Sequence, residues 1–573
     1  MRFSKALVLV WTLALLLHGF GCAPGTLEEG AELSDKLSAR VSAASFLDKV
    51  TVGYQGWFVA KGDGSKVGGW AHWSASEPSP GQVRFEVYPD TRDYDPDDLY
   101  ETGLGALGDG RPAKLFSSYS PRVVDTHFRW MEEVGIDGVG LQRFVSELGD
   151  ERFLDWRNQV ARHVRSASEA HGRIFYIEYD ISGANEGSLV DDLKKDWSEV
   201  IQGELDLLSS PQYARQDGRP VVYLWGLGFD DRPGTPAQAA ALIEWFQAQG
   251  CFVAVGVPYE WRSQQGSSKP GFLEAYSHAN LIQPWAVGAV ASDADIEKHF
   301  ADLVKKDLAW TKERGIAYQR VVFPGFAWSN WNGGQKNQIP RRAGKFFWKQ
   351  ILAVKKAGAG AWIAMFDEYD EGTAIAKAAE SAAHAPASQY FLTLDADGTA
   401  LSSDFYLRLA GAATRVLHGE SPASEAIPIP AFPEAGGPPP TVPPGSDAVP
   451  AQSAYAGKSA THSAEGAQGI VLRLYPALLG READPSGLAS YVPMVEAGQL
   501  AQVVSAFVTS PEFDARRGSL SAAGFAADLY QKLLDRDGDP GGLDATADAI
   551  RKGHVAERVV GMVESDEYRS KNP

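Results

Sequence analysis

Hydrophobic and polar positions change their period several times along this chain. Ala6 to Leu17 is an uncharged apolar run behind Arg2 and Lys5. A positive start and a run too short to span a bilayer comfortably predict an export signal over residues 1–22. From residue 45, short apolar, β-branched or aromatic runs recur at Thr51–Phe58, Asp137–Gln142, Ile174–Tyr179, Val221–Trp225, Phe252–Val257, Leu281–Trp285, Val321–Phe326 and Ala361–Phe366. Stretches with helical spacing lie between most of them, including Arg122–Val134, Arg152–Ala170, Leu189–Leu208, Pro236–Gln249, Ile296–Arg314 and Arg341–Lys356. Eight such alternations predict an α/β fold, a (β/α)8 TIM barrel over residues 45–420. A doubly wound open sheet is the alternative, but it would usually carry a Gly-rich phosphate turn after the first strand, and none is visible. The first strand-to-helix connection, residues 59–118, is long enough to predict a functional segment.

The pattern changes after residue 420. Residues 421–466 are rich in Pro, Ala, Gly and Ser, with Pro438-Pro439-Pro440 and Pro443-Pro444, and predict a semi-extended linker. Residues 467–571 contain a repeat. Tyr475, Leu479, Arg481, Asp484, Pro485, Gly487, Leu488, Gly498, Ser510, Glu512 and Phe513 recur 55 positions later as Tyr530 through Tyr568. The unbroken register predicts a small, duplicated all-α domain. Asp484 and Asp539 read either as helix caps in an Asp-Pro-x-Gly turn, which is preferred, or as thin calcium sites. The pattern Leu-Tyr-x-x-Leu-Leu-Gly/Asp-Arg-x-x-Asp-Pro-x-Gly-Leu resembles the domain of unknown function 4214. That resemblance implies a helical accessory module for surface association.

Composition narrows the class. Of 573 residues, 54 are Lys or Arg and 73 are Asp or Glu, giving a net charge of −19 with 44% hydrophobic residues. The apolar fraction excludes a disordered chain, and the acidity argues against nucleic acid and polyanionic substrates. Two cysteines cannot build a disulfide scaffold or a four-cysteine zinc site. Gly19-Phe20-Gly21-Cys22 resembles a bacterial lipoprotein cleavage site, although Gly19 stands where Leu is expected. The resemblance implies a lipid on Cys22, an exported cell-envelope location, and membrane contact only through that anchor. A plain secretory signal with an incidental cysteine is the alternative. Cys251, in an apolar run, reads as a buried inert thiol.

Fifteen of the sixteen Trp fall between Trp57 and Trp362. In such barrels the chemistry sits at the C-terminal ends of the strands. Those ends carry Tyr54, Trp57, His72, Trp73, Arg143, Asp180, Glu260, Trp285 and Trp331, the candidate substrate contacts. Flat aromatic faces among carboxylates, amides and an arginine suit an oligo- or polysaccharide, and no cofactor is required. The last strand ends in Asp367, Glu368, Asp370 and Glu371, four acids in five positions. Three readings stand for this cluster: an acid/base pair with at least one raised pKa, a cation site, or a solvated acidic loop. Glu260 competes for the acid role.

Glu368-Tyr369-Asp370-Glu371-Gly372-Thr373 closely resembles the Glu-x-x-Glu-Gly-Thr motif of glycoside hydrolase family 99 endo-α-mannosidases. His127-Phe128-x-Trp130-Met131, Gly135-Ile136-Asp137-Gly138 with Gln142-Arg143-Phe144, and Gly53-Tyr54-Gln55-Gly56-Trp57-Phe58 are similar to the same broad family 71/99-like group. The resemblance implies Glu371 as general acid/base and Glu368 as the carboxylate that deprotonates the sugar 2-hydroxyl. The reaction would pass through a 1,2-anhydro sugar with net retention. Family 99 carries Trp and His between its glutamates where this chain has Tyr369 and Asp370. Family 71 enzymes cut α-1,3-glucan, so the barrel alone does not choose the glycan. The alternatives are a non-catalytic surface glycan-binding protein on the same barrel, and a chain whose main business is the tail.

Overall fold

The computed structural model describes residues 40–433 and, within 452–571, all but residues 453, 454, 456, 458, 482, 511, 514–521 and 537. Residues 1–22, predicted as an export signal ending in Cys22, and the centre of the Pro-rich segment lie outside the described residues. Eight parallel strands form the body. They are β1 (Thr51–Tyr54), β2 (Gly138–Phe144), β3 (Ile174–Asp180), β4 (Arg219–Trp225), β5 (Phe252–Val257), β6 (Leu281–Pro284), β7 (Ala317–Val322) and β8 (Gly360–Ile363). Their order is β3-β2-β1-β8-β7-β6-β5-β4, and β3 pairs with β4 to close the ring. This is the predicted TIM barrel, with the helices between strands forming its outer layer.

Local signals explain the elements. The helix Pro121–Val134 starts on Ser120-Pro121 and ends at Gly135 in the left-handed region, at φ 81°. The helix Pro236–Ala248 opens with a Thr235/Gln238 capping box. Three strands depart from the apolar runs by three residues or more, and the first of them, β1, ends at Tyr54 rather than Phe58. β7 starts at Ala317 rather than Val321, because Tyr318, Gln319 and Arg320 carry polar side chains that the fold buries. Ala364–Phe366 leaves the β8 ladder, yet the Ala364 amide still donates to the Val322 carbonyl (2.9 Å) and Phe366 to Gly53 (2.7 Å). The acids that follow are therefore anchored to β7 and β1.

The barrel interior is packed with large polar-tipped rings set against glycines. The Trp362 indole donates to the Tyr176 hydroxyl (3.0 Å), which lies 3.1 Å from Thr51 Oγ1. Tyr223 donates to Gln283 Oε1 (2.5 Å), and Gln283 donates to Gln319 (3.1 Å). A Cβ on Gly53 would strike Met365 and Trp362, one on Gly140 would strike Glu178, and one on Gly256 would strike Tyr223. The missing side chains are what admit the rings, as close packing requires.

The long connection after β1 is structured. It contains an antiparallel hairpin, Leu99–Ala106 with Pro112–Phe116. Its Glu86 and Val87 amides donate to the Tyr369 carbonyl (2.9 and 3.1 Å), and the Glu86 carboxylate accepts from Ser329 Oγ (2.7 Å) and the Asn330 amide (2.8 Å). The insertion thus braces the segment after β8 against the loop after β7.

Residues 421–433, predicted as linker, pack on the barrel unit. Trp348 Nε1 donates to the Ser424 carbonyl (2.8 Å) and the Ser402 amide to Ala431 (3.1 Å), with Ile427 and Ile429 against the core. The spaced apolar residues among the prolines explain this. The tail forms its own hydrophobic core, and Gln452 and Tyr455 already bond into it. Its duplication is repeated atom by atom. Arg481 pairs with Glu512 and Arg536 with Glu567, while the guanidiniums lie over Tyr475 (4.9 Å) and Tyr530 (5.0 Å). Asp484 and Asp539 are helix caps, accepting from the Gly487 and Gly542 amides at 2.9 Å each. Among the described residues, no helix is long and apolar enough to cross a membrane.

Candidate active site

The four acids after β8 take different positions. Asp367 is fully buried and accepts from the backbone amides of Gln55 (2.7 Å) and Gly56 (2.8 Å). It ties β1 to β8, and burial pushes its carboxyl up to about 6. Glu368, also buried, accepts from Gln55 Nε2 and Thr373 Oγ1, both at 3.2 Å. Burial, then the neighbouring Glu371 and Asp370 carboxyls, hold it well above the usual range. Asp370 is buried with Oδ1 unbonded and is likewise held well above its ordinary value by burial. Glu371 is partly buried. Among the described residues no hydrogen bond reaches its carboxyl, burial pushes it up to about 7, and the Arg232 guanidinium acts in the opposite direction. One glutamate is therefore wired into the fold and the other is free to meet a ligand.

Glu371 has a consequence for stability. A carboxyl near 7 in the folded chain and 4.5 when unfolded binds more protons folded than unfolded between those values. Stability accordingly falls as pH rises from about 4.5 to 7, by at most about 3 kcal/mol from this group. Glu371→Gln removes that term and eases the ionisation of Glu368. Thermal unfolding from pH 5 to 8 should show wild type losing more stability than Glu371→Gln; parallel curves would contradict it.

The other predicted contacts divide. Trp57 is stacked between His72 (4.0 Å, 13°) and Phe144 (5.5 Å, 22°). His72 lies 3.9 Å from Glu147, and burial lowers its pKa against that carboxylate. Asp180 accepts from the Ser182 amide (2.7 Å), and burial raises it to about 6. Trp285 is partly exposed and meets Trp225 edge-on at 5.3 Å. Trp331 is 47% exposed, beside Trp328. Glu260 stands partly exposed in the loop after β5, and it is not among the groups that act on Glu368 or Glu371.

Three expected contacts are structural. Tyr54 is fully buried, its hydroxyl 2.8 Å from His127 Nδ1. Trp73 is fully buried against Phe58 (3.7 Å), its indole donating to the Phe116 carbonyl (2.8 Å). Arg143 is buried in a bidentate pair with Asp196 (2.5 and 2.7 Å) and donates to Asn158 (2.9 Å). Asp196 also accepts from Tyr179 (2.7 Å), so Arg143 fastens β2 and β3 to the helix layer and does not serve a ligand. Tyr369, between the two glutamates, is fully buried and donates to the Lys377 carbonyl (3.2 Å). Cys251 is buried, its thiol pushed up to about 12 by burial.

The structure adds two groups. Arg157, on the helix Glu151–His171, donates to Glu147 (2.5 Å) and to the Gln55 carbonyl (3.0 Å). Burial opposes the ionisation of Glu147, but Arg157 and His72 hold it at about 2. Arg157 thereby steadies the residue that supports both Asp367 and Glu368. Arg157→Lys keeps the charge and loses the guanidinium fork. It should lower kcat about tenfold with little change in KM; steady-state kinetics check this, and an equal loss in KM alone would contradict it. Arg232 follows β4, with its guanidinium 5.3 Å over the Trp225 ring.

Comparison with known proteins divides the chain in the same way. Residues 467–517 and 504–572 match the family model "Domain of unknown function (DUF4214)". The tail matches it twice. No curated protein matches the chain. Similar solved structures include a GH99 endo-alpha-mannosidase from Bacteroides thetaiotaomicron, at 14% identity and TM-score 0.47, covering 65% of this chain and 99% of that one. A glycoside hydrolase-like protein is similar at 15% identity and TM-score 0.38, covering 60% and 98%. GH5_18 from Streptomyces cattleya in complex with GlcNAc is similar at 14% identity and TM-score 0.31, covering 53% and 77%.

Proposed function

We propose that the chain is a retaining glycoside hydrolase, endo-acting on an α-linked glycan such as an α-mannoside. The observation that carries this reading is the asymmetry of the two glutamates after β8. Glu368 is oriented by Gln55 and Thr373, while the Glu371 carboxyl is free and near 7. Two carboxyls with one proton between them are what acid-assisted glycoside cleavage needs. Glu368 takes the proton of the sugar 2-hydroxyl as that oxygen bonds to the anomeric carbon. The glycosidic bond breaks, and Glu371 gives its proton to the departing oxygen. Water, deprotonated by Glu371, then opens the 1,2-anhydro sugar at the anomeric carbon, and Glu368 returns its proton to the 2-oxygen. Partly exposed His72, stacked on Trp57, and partly exposed Trp285, edge-on to Trp225, supply faces for sugar rings.

The test is product release from α-mannan, α-1,3-glucan and nigero-oligosaccharides, with the product anomer followed by NMR. Retained configuration supports the reading. Inversion overturns the anhydro-sugar route, and glycan binding without release would make the barrel a binding protein. The proposal extends to export with a lipid on Cys22 and a tail used for surface association. Radiolabelled palmitate incorporation lost in Cys22→Ala supports the anchor; unlabelled wild type overturns it.

A further inference from the structure

Arg232 acts on two carboxyls at the strand ends, Asp180 and Glu371, and its setting differs from that of Arg143 and Arg157. Arg143 and Arg157 are spent on buried carboxylates within the fold. Among the described residues Arg232 forms an ion pair only with its exposed neighbour Asp231, whose side chain is 65% accessible, so that pair holds it weakly. Its Nε is buried and makes no hydrogen bond, and neither does the indole Nε1 of Trp225 beneath it. Trp225 in turn contacts Phe229 (5.0 Å) and Trp285 (5.3 Å).

The loop that carries Arg232 is latched in place. The Asp230 amide donates to Ser267 (2.8 Å), the Lys269 amide to Gly228 (2.7 Å), and Lys269 Nζ to the Arg232 carbonyl (2.5 Å). A guanidinium 5.3 Å over an indole, beside two further aromatic rings, is an arranged donor fork next to an apolar sugar platform. Its charge also works against the proposed general acid, since it favours the ionised form of Glu371. A ligand anion on the guanidinium would cancel that field and strengthen the hold of Glu371 on its proton once substrate is bound.

Resting on the hydrolase reading above, we propose that Arg232 and Trp225 form a subsite for a sugar carboxylate, so that the substrate is an α-linked glycan bearing a uronic acid beside the cleaved bond. Arg232 acts on the carboxyls of Asp180 and Glu371 beside it, so a sugar carboxylate is drawn to the guanidinium side of the cleft. A planar carboxylate matches the arginine fork better than it matches a lysine ammonium.

The experiment compares an α-linked hexuronosyl oligosaccharide with its neutral counterpart, using the full chain, by calorimetric binding and by initial rates. Wild type should bind the uronate at least tenfold more tightly. Arg232→Gln should bind both alike, and Arg232→Lys should recover only part of the difference. The unfolding temperature of each variant, expected within a few degrees of wild type, shows that the loop is intact. Equal affinities in wild type, or a preference unchanged in Arg232→Gln, would overturn the carboxylate subsite even if neutral glycans are cleaved. Uronate-selective binding with no release from any glycan would overturn the hydrolase reading while leaving the subsite standing.

Discussion

Glu371→Gln should lower kcat by at least about 10³-fold, within the range general acid catalysis supplies. The carboxyl follows a barrel strand, at the end where such folds carry out their reactions. It has no bond within the fold to lose, and burial keeps a proton on it near pH 7. Gln has nearly the same shape and hydrogen-bonding reach but no transferable proton. The unfolding temperature should hold or rise above pH 7, because the wild-type carboxylate costs the folded state there and Gln does not. Loss of turnover with intact stability, measured by reducing-end release and thermal unfolding on one preparation, separates catalysis from folding. Unchanged release would remove Glu371 from the reaction. Glycans that leave as good phenolate groups need less protonation and should lose less rate, a graded result that a merely structural residue would not give.

The barrel was legible because its strands are buried on both faces and read as apolar runs. The exception, β7, opens with Tyr318, Gln319 and Arg320, whose polar side chains hide a strand from any hydropathy reading. The site was harder to read. Arg143 stands at a strand end beside Gln142, but successive side chains point to opposite faces, and this one points to the helices and Asp196. Tyr176, Glu178 and Asp180 share one parity along β3, and the Tyr176 bonds to Thr51 and Trp362 mark it as the inner face. Counting parity would have separated Asp180 from Arg143. The abundance of Trp overstated the cleft, since Trp73, Trp130, Trp156, Trp197, Trp261, Trp348 and Trp362 are sealed in the core. Arg157 lies about a hundred residues from the Gln55 turn it steadies. No local pattern marks it, because its contact with Gln55 forms only when β1 and β2 pair and the following helix packs against them. The acid cluster was legible as chemistry but not in its division of labour: Asp367 anchors β1, and Tyr369 fills the core.

Glu368→Gln should be nearly as damaging, about 10²- to 10⁴-fold in kcat, and its signature should differ. Glu368 sits between two fixed donors, Gln55 Nε2 and Thr373 Oγ1, both of which favour a carboxylate. Burial and the two neighbouring carboxyls favour the acid. The proposed reaction requires a single proton on the pair, carried by Glu371, with Glu368 ionised against the burial that favours its acid form. The pH–rate profile of the wild type should therefore be bell-shaped, with both limbs belonging to the pair. In Glu368→Gln one member of the pair no longer titrates, so the profile should lose one of its two limbs. The variant also loses the base for the 2-hydroxyl. A 2-deoxy substrate, which cannot form the anhydro sugar, should be cleaved no faster by wild type than by the variant, while the parent glycan separates them by the full factor. Equal losses on both substrates would place Glu368 in a purely electrostatic role and exclude the 2-hydroxyl as nucleophile.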